Sequence, residues 1–251
     1  MNKDTAIIIP CYNESKRIHV DSFIRYMEEH ENIIFYFVND GSNDNTIQTL
    51  ERIRSQMGSS VEILDLPKNQ GKAEAVRQGM LCAISKENPF QYFGYWDADL
   101  ATPLEEIGVF VDYMYKNENV LWVSGARIKK GGCDIKRSPY RHYLGRIFVT
   151  IVNLMLSIEF YDTQCGAKVV KRTIVKNLFG DPFISKWIFD LELIIRLRNS
   201  PKFVSNYVSV LEKPLEKWED VSGSKVKATT FFKALVDVIK IYYKTRITKT
   251  R

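Results

Sequence analysis

Asp97, Ala98 and Asp99 form the segment of this sequence that is best suited to chemistry. The two acids end an apolar, aromatic-rich run, 92–99, where uncompensated carboxylates would be costly. Side chains two residues apart point to opposite faces of a regular strand, but both carboxylates can converge where the backbone turns at its end. Such oxygen ligands suit Mg²⁺ or Mn²⁺, with substrate phosphates completing the coordination shell. A pair of acids capping the next helix is the alternative.

Two other segments place polar residues directly after an apolar run. Residues 7–14, IIIPCYNE, bring Tyr12, whose ring could stack on a base, and residues 38–46, VNDGSNDNT, bring Asp40. A carboxylate there could accept a hydrogen bond from a nucleobase imino group or a ribose hydroxyl. Asp44 could cap the helix that follows. For either segment alone, turn chemistry explains the residues equally well.

Basic residues are concentrated in two spans of the chain. The span 127–146 carries seven basic residues against one acid, and the span 225–251 carries eight against one. Because the formal net charge of the whole chain is +6, the residues before 225 sum to about zero. Arginine binds phosphate oxygens bidentately, and a basic tail attracts the phosphates of lipid headgroups or nucleic acid. A solvated loop or helix face is the alternative in each case.

Apolar runs that alternate with amphipathic segments must position these residues. Strands are predicted at 6–10, 33–39, 61–64, 92–99 and 120–125, with helices near 17–30, 44–57, 71–86 and 103–117. This alternation indicates a parallel, doubly wound sheet, in which ligands bind at the carboxyl ends of the strands. Lys72 follows Gly71 at a predicted helix start, where it could meet a phosphate, although an ordinary surface lysine fits equally.

The second half of the sequence predicts two further helices. The stretch 144–160 has twelve uncharged residues in a row, which suits a core helix or one that lies in a membrane interface. The last helix is predicted to place on one stripe Phe231, Leu235, Val238, Ile239, Tyr242 and Tyr243, and on the other side Lys233, Asp237, Lys240 and Lys244. No membrane-spanning run or signal peptide is expected, and four scattered cysteines suit a reducing cytoplasm.

Taken together, the motifs PCYNE, NDGSNDNT and DADL resemble those of the family 2 glycosyltransferases, in the same order and with similar spacing. Other segments look like dolichyl-phosphate glucosyltransferases and, less closely, dolichyl-phosphate mannose synthases: NQGKAEAVRQGM, SGARIKK, KRSPYRHYLG, DTQCGAKVV, WIFDLELI and VSGSKVK. The resemblance implies the GT-A fold, α/β with a mixed, mostly parallel sheet flanked by helices. It also implies a catalytic domain at 1–224, with a nucleotide-binding half at 1–126 and an acceptor half at 127–224. A basic amphipathic helix at 225–251 would follow.

The resemblance also implies roles for individual residues. The nucleotide-sugar would contact Pro10, Tyr12, Glu14, Asp40, Lys72 and Ala98. Asp97 and Asp99 would hold Mg²⁺ or Mn²⁺ and the diphosphate. The phosphate of the acceptor would meet Arg127, Arg137, Arg141 and Lys225. Two positions depart from relatives: Asn39 stands where the family usually has an acid, and Ala101 stands where mannose synthases often have glutamine. The second departure favours the glucosyl branch or a more hydrated metal.

Asp162 and Asp190 are the remaining acids for which the resemblance implies a catalytic role. In relatives with a sugar acceptor, an acid near Asp190 deprotonates the attacking hydroxyl. A phosphate acceptor is already an anion and needs no base, so either acid would then orient basic side chains or the sugar. A structural role for Asp190, paired with Arg196 or Lys186, is also open.

The activity implied is an inverting transfer of a hexose, glucose from UDP-glucose, to polyprenyl or dolichyl phosphate. The expected partners are the nucleotide-diphosphate sugar, the acceptor and an anionic membrane surface, with the enzyme peripheral at the cytoplasmic face and no nucleic acid involved. Transfer to a saccharide hydroxyl in polysaccharide or glycan synthesis is the main alternative. A nucleotide-sugar-binding protein without turnover is a minor one.

Overall fold

The computed structural model describes residues 4–86, 90–136, 139–156, 158–200, 210–219 and 228–247. The strands in these ranges are β1 (Thr5–Cys11), β2 (Ile33–Asp40), β3 (Val61–Leu66), β4 (Tyr92–Trp96), β5 (Trp122–Ala126), β6 (Asp134–Lys136), β7 (Ala167–Lys171), β8 (Val210–Pro214) and β9 (Lys217–Glu219). The α-helices are α1 (Val20–Glu29), α2 (Thr46–Met57), α3 (Lys72–Ser85), α4 (Glu105–Lys116), α5 (Pro139–Leu156), α6 (Arg172–Phe179), α7 (Phe189–Arg198) and α8 (Ala228–Ile247).

Seven of the described strands form one sheet in the order β3-β2-β1-β4-β7-β5-β8. All neighbours in it are parallel except β7, which runs antiparallel to both β4 and β5. The short strands β6 and β9 pair separately, in parallel. The predicted mixed, mostly parallel sheet is therefore confirmed, and an entirely parallel one is wrong.

Each face of the sheet is covered by helices, which explains the apolar runs of its central strands. In β1, Ile8 packs into a cluster beneath α3 and α5 to α8, while Ile7 and Ile9 pack into a second cluster beneath α1, α2 and α4. A strand buried on both faces reads as a continuous apolar run, and IIFYFVND in β2 is buried throughout.

The five predicted strands and the helices between them are found within a few residues of their expected positions. The fourth strand ends at Trp96 rather than at 99, because the backbone turns through Asp97 to Asp99 and Leu100 adopts a positive φ of 51°. A left-handed residue cannot continue a strand, so the two acids lie in the turn. The helix predicted at 144–160 is α5, which begins earlier, at Pro139.

The predicted stripe of the last helix is partly wrong. Val238 of α8 is buried, and so is Ile241, whereas Ile239 and Tyr243 are exposed. Asp237, predicted on the outer side, is half-buried and accepts a hydrogen bond of 2.8 Å from Ser185 Oγ. Phe231 lies outside the described side chains. In the part of the chain that is described, no helix combines the length and the apolar character needed to cross a membrane.

Candidate active site

The polar segments that follow β1, β2 and β4 meet at one edge of the sheet, because these strands are parallel neighbours. The backbone N–H of Asn13 donates to Ser42 Oγ at 3.0 Å, and that of Glu14 donates to Thr46 Oγ1 at 2.9 Å. Asp44 accepts from Thr46 N at 3.0 Å, but it lies one residue before Asn45, the N-cap of α2, so it closes the turn before the helix rather than capping it. Slight burial would raise the pKa of Asp44, but hydrogen bonds, chiefly from Thr46, hold it below the ordinary value.

Asp40 organises the loop that leads into α3. Its carboxylate, which is only 2% exposed, accepts hydrogen bonds from Asn69 Nδ2 (3.0 Å), Gln70 N (2.7 Å) and Gly71 N (2.9 Å). Burial raises the pKa of Asp40, although the two backbone N–H groups act in the opposite direction. In this structure Asp40 therefore contacts the loop residues that directly precede Lys72. Contact between Asp40 and a nucleobase stays a prediction.

Lys72 and Arg17 bring positive charge to the two acids of the turn. Lys72 Nζ lies 2.5 Å from Asp97 Oδ1, and Arg17 Nη2 lies 2.8 Å from Asp99 Oδ2. Arg17 also reaches Glu14 Oε1 at 3.2 Å. Burial alone would lower the pKa of Lys72, but the acids around it, Asp97 foremost and then Asp190 and Asp99, together outweigh burial and raise the pKa. Arg17 was not among the predicted site residues, although its spacing of three residues from Glu14 is a usable signal.

The carboxylate of Asp97 rests directly on Gly166. A Cβ atom at Gly166 would lie 1.9 Å from Asp97 Oδ2, so no other residue type fits beneath this carboxylate in the position shown. The backbone reinforces the contact, because Asp97 N donates to Gly166 O at 3.1 Å. The segment DTQCG, which precedes β7, therefore forms one wall of the site.

Asp97 and Asp99 fit the divalent cation expected from the sequence. Burial raises the pKa of Asp99, and the charge of Asp97 raises it further, so the two carboxylates repel each other. A hard cation between them would relieve this repulsion. Within the described ranges, no group of three or more His, Cys, Asp or Glu side chains is placed to hold a metal. Phosphate and water would therefore supply the other ligands, as Mg²⁺ commonly requires.

Arg127 follows β5 and is clamped by Asp162. Arg127 Nε lies 2.6 Å from Asp162 Oδ2, Arg127 Nη2 lies 2.7 Å from Asp162 Oδ1, and the guanidinium lies over the Trp218 ring with its carbon 5.2 Å from the centroid. Asp162 is itself fixed, because its N–H donates to Glu212 Oε1 at 2.7 Å. Burial opposes the charge on Arg127, but Asp162 outweighs it and raises the pKa of Arg127. Asp162 thus orients a basic side chain, and whether that side chain meets an acceptor phosphate stays a prediction.

Asp190 lies at the start of α7 in a buried ion pair with Lys168 of β7. Their Nζ and Oδ1 atoms are 2.7 Å apart, and the side chains are 1% and 7% exposed. Tyr95 donates a hydrogen bond to the same oxygen of Asp190. Burial, followed by the charge of Asp190, raises the pKa of Tyr95 well above its usual range, so its hydroxyl stays protonated. Lys168 Nζ also donates to the carbonyl oxygens of Thr163 (3.2 Å) and Cys165 (2.5 Å).

A structural role for Asp190 in an ion pair with Arg196 or Lys186 was predicted from the sequence as an alternative, and both of these partners are wrong. Arg196 instead pairs with Glu192, at 3.8 Å, and donates to the carbonyl oxygen of Leu178 at 2.7 Å. Lys186 places its stem over Gly71. Lys168 was not predicted, although a lone lysine in the apolar run AKVVK was a signal of a buried charge.

The structure describes the side chains of some of the remaining predicted site residues but not of others. Pro10 and Tyr12 are half-buried at the end of β1, whereas Glu14 is 9% exposed and Ala98 is 5% exposed. Arg137 and Lys225 lie outside the described residues, and the side chain of Arg141 also lies outside them. The four cysteines all lie within the described ranges and form no disulfide bond.

Residues 6–179 match the model of glycosyl transferase family 2, which is more than half of the chain. The chain therefore belongs to this family of transferase enzymes. It is 30% identical over 249 residues to a dolichyl-phosphate beta-glucosyltransferase of Trichomonas vaginalis, covering 94% of this chain and 70% of the relative. Another such relative, from Saccharomyces cerevisiae, is 31% identical over 243 residues, with 88% and 68% covered.

The solved structures that resemble this chain include glucosyl-3-phosphoglycerate synthase from Mycobacterium tuberculosis. Its complex with Mn²⁺, uridine diphosphate and glucosyl-3-phosphoglycerate superposes with a TM-score of 0.68, covering 97% of this chain and 80% of that one. At 13% sequence identity this likeness concerns the fold, and it confirms the GT-A architecture.

Proposed function

We propose that this enzyme transfers glucose from UDP-glucose to dolichyl phosphate or a related polyprenyl phosphate, with inversion at the anomeric carbon. The relatives that match nearly the whole chain are dolichyl-phosphate beta-glucosyltransferases, which supports both the sugar and the acceptor. The catalytic domain would be 1–224, with a nucleotide-binding half at 1–126, an acceptor half at 127–224 and a basic helix at 225–251.

A phosphate acceptor, rather than a sugar hydroxyl, is supported chiefly by one observation. Both candidate general bases are paired with cations. Asp162 is held by Arg127 and Asp190 by Lys168, so neither carboxylate is arranged as a general base for a hydroxyl. A phosphate monoester is an anion at neutral pH and needs no base. The guanidinium of Arg127 has five N–H donors, of which two are directed at Asp162, so it can also hold a phosphate oxygen.

On the donor side, Asp97 and Asp99 would hold Mg²⁺ or Mn²⁺. When bound, the ion supplies positive charge that stabilises the diphosphate as the bond to the sugar breaks. Pro10, Tyr12, Glu14, Asp40, Lys72 and Ala98 would contact the nucleotide-sugar. The acceptor oxygen, held by Arg127 and by Arg137, Arg141 and Lys225, attacks the anomeric carbon from the face opposite the diphosphate. Catalysis then rests on positioning and electrostatics.

The acceptor class is tested with Asp190→Asn. Transfer of glucose from UDP-glucose to polyprenyl phosphate is expected to fall less than about tenfold, because no proton must be removed, whereas loss of a true general base costs about 10²–10⁴-fold. The wild type is first compared on UDP-glucose, UDP-galactose, UDP-N-acetylglucosamine and GDP-mannose, with the lipid product measured by mass. A preference for another donor, or a loss in the variant as large as that of a general base with its fold intact, contradicts the proposal.

We place the enzyme peripherally at the cytoplasmic face of an anionic membrane, and the surface of α8 supports binding to such a membrane. Val236, Ile239 and Tyr243 are 51%, 45% and 62% exposed on this helix, and the exposed Lys233, Lys240 and Lys244 accompany them. Amphipathic helices that bind the membrane interface carry exposed apolar side chains beside lysines, as this one does. On α5, Tyr143, Ile147 and Leu154 are also exposed.

This docking is tested with the double variant Ile239→Ser, Tyr243→Ser in flotation with vesicles that contain anionic lipid. The bound fraction is expected to fall about tenfold or more, since each large apolar side chain contributes roughly 1.5–3 kcal/mol when buried. Tyr115→Ser is the matched control, because Tyr115 is 77% exposed on α4. Equal flotation of the double variant and the wild type would refute the docking surface.

A further inference from the structure

Asp97 and Asp99 are each paired with a basic side chain from a different part of the chain. Lys72 begins α3 and reaches Asp97 at 2.5 Å, while Arg17 precedes α1 and reaches Asp99 at 2.8 Å. The side chains of Lys72 and Arg17 are 21% and 23% exposed, so both ion pairs are open on one side. These pairs occupy one oxygen of each carboxylate, Asp97 Oδ1 and Asp99 Oδ2, and so compete with a metal for them.

We infer that a divalent cation binds Asp97 and Asp99 by exchange with Lys72 and Arg17, which then pair with the diphosphate of the donor. This inference rests on the proposed metal-dependent function and deepens it. It assigns to Arg17 a role in donor binding. It also means that Lys72 pairs first with Asp97 and then with the diphosphate.

The distances favour such an exchange. Mg²⁺ approaches a carboxylate oxygen to about 2.0–2.1 Å. An ammonium nitrogen 2.5 Å from the same oxygen of Asp97 would then lie within roughly 5 Å of a doubly charged ion, where like charges repel strongly in a partly buried site. Lysine has a flexible four-carbon stem, so Lys72 can leave Asp97 without a change in the backbone of α3.

The charge balance indicates what the released side chains bind. Asp97, Asp99 and Glu14 carry three negative charges and Lys72 and Arg17 carry two positive ones, so these five side chains sum to −1. A divalent ion alone would change this sum to +1. The diphosphate of a nucleotide adds negative charge beside the ion and cancels the excess. Metal alone should therefore bind weakly, and metal with nucleotide should bind cooperatively.

The exchange is tested by measuring Mn²⁺ affinity from the electron paramagnetic resonance signal of free Mn²⁺, with and without UDP. Lys72→Met should bind Mn²⁺ alone about tenfold more tightly than the wild type, because the competing cation is gone. The factor by which Mn²⁺ strengthens UDP binding should fall about tenfold, because no ammonium is released to the diphosphate. Lys72→Arg keeps the charge and should stay near the wild type.

Lys86→Met is the matched control, since it removes a similar lysine ion pair, with Glu62, away from the site. It should change neither quantity. If Lys72→Met binds Mn²⁺ alone no more tightly than the wild type, or keeps the full coupling to UDP, the exchange is refuted. Arg17→Gln repeats the test should Lys72→Met not fold. Failure of Mn²⁺ to bind any variant in the presence of UDP would instead refute the metal-dependent function.

Discussion

Asp99→Ala is expected to lower the rate of sugar transfer by about 10³-fold or more, because it removes a proposed metal ligand at the point where charge would develop on the leaving group. Chelation of divalent metal with EDTA should have a similar effect on the wild type, and added Mg²⁺ or Mn²⁺ should restore the activity. The assay is transfer from UDP-glucose to polyprenyl phosphate. Asp97→Ala should behave alike, since Asp97 lies on the same turn.

Asp112→Ala provides the control for the loss of a carboxylate. Asp112 is exposed on α4, and its removal should leave transfer unchanged. Circular dichroism should be used to check that Asp99→Ala is folded. This check is needed because the substitution also removes one of the two acids that pair with Arg17. Full activity in Asp99→Ala and in the chelated wild type would defeat the assignment of these acids to a metal.

Lys168→Met is expected to have the largest effect on stability, lowering the free energy of unfolding by about 3–5 kcal/mol. Lys168 is 1% exposed, and its removal leaves Asp190 as a buried carboxylate without its cation. The measurement is unfolding in urea. Lys136→Met, which removes a lysine that is 59% exposed beside Glu219, should leave the free energy of unfolding nearly unchanged.

The double variant Lys168→Met, Asp190→Leu separates the ion pair from simple loss of packing. Replacing both charges with apolar groups removes the unpaired carboxylate, so much of the lost stability should return. If the double variant is less stable than Lys168→Met alone, the cost does not arise from the orphaned carboxylate of Asp190.

The donor side of the site could be predicted from the sequence because it depends on local rules. Parallel strands end at one edge of a sheet, so polar residues after β1, β2 and β4 must be neighbours. Asp97 and Asp99 were expected there for this reason. Lys72 was expected near phosphate, but its ion pair with Asp97 was not, since it depends on how α3 approaches β4.

The acceptor side could not be derived in the same way, because it depends on β7. This strand runs antiparallel between β4 and β5, and an alternation of strands and helices predicts only parallel neighbours. Its insertion brings Gly166 under Asp97 and Lys168 to Asp190. The exposed face of α8 was also missed. Apolar residues lie on both sides of that helix, so periodicity alone does not show which side is buried.

In the proposed function, the short stretch from Asp162 to Gly166 supports residues that bind two different substrates. One of its ends fixes the guanidinium of Arg127, and the other supports the carboxylate of Asp97. A designer who rebuilds this stretch to admit a different lipid would thereby disturb the grip on the nucleotide as well. Altered acceptor preference should be sought instead by changing exposed side chains of α5 and α8, such as Leu154 and Tyr243, which are 78% and 62% exposed.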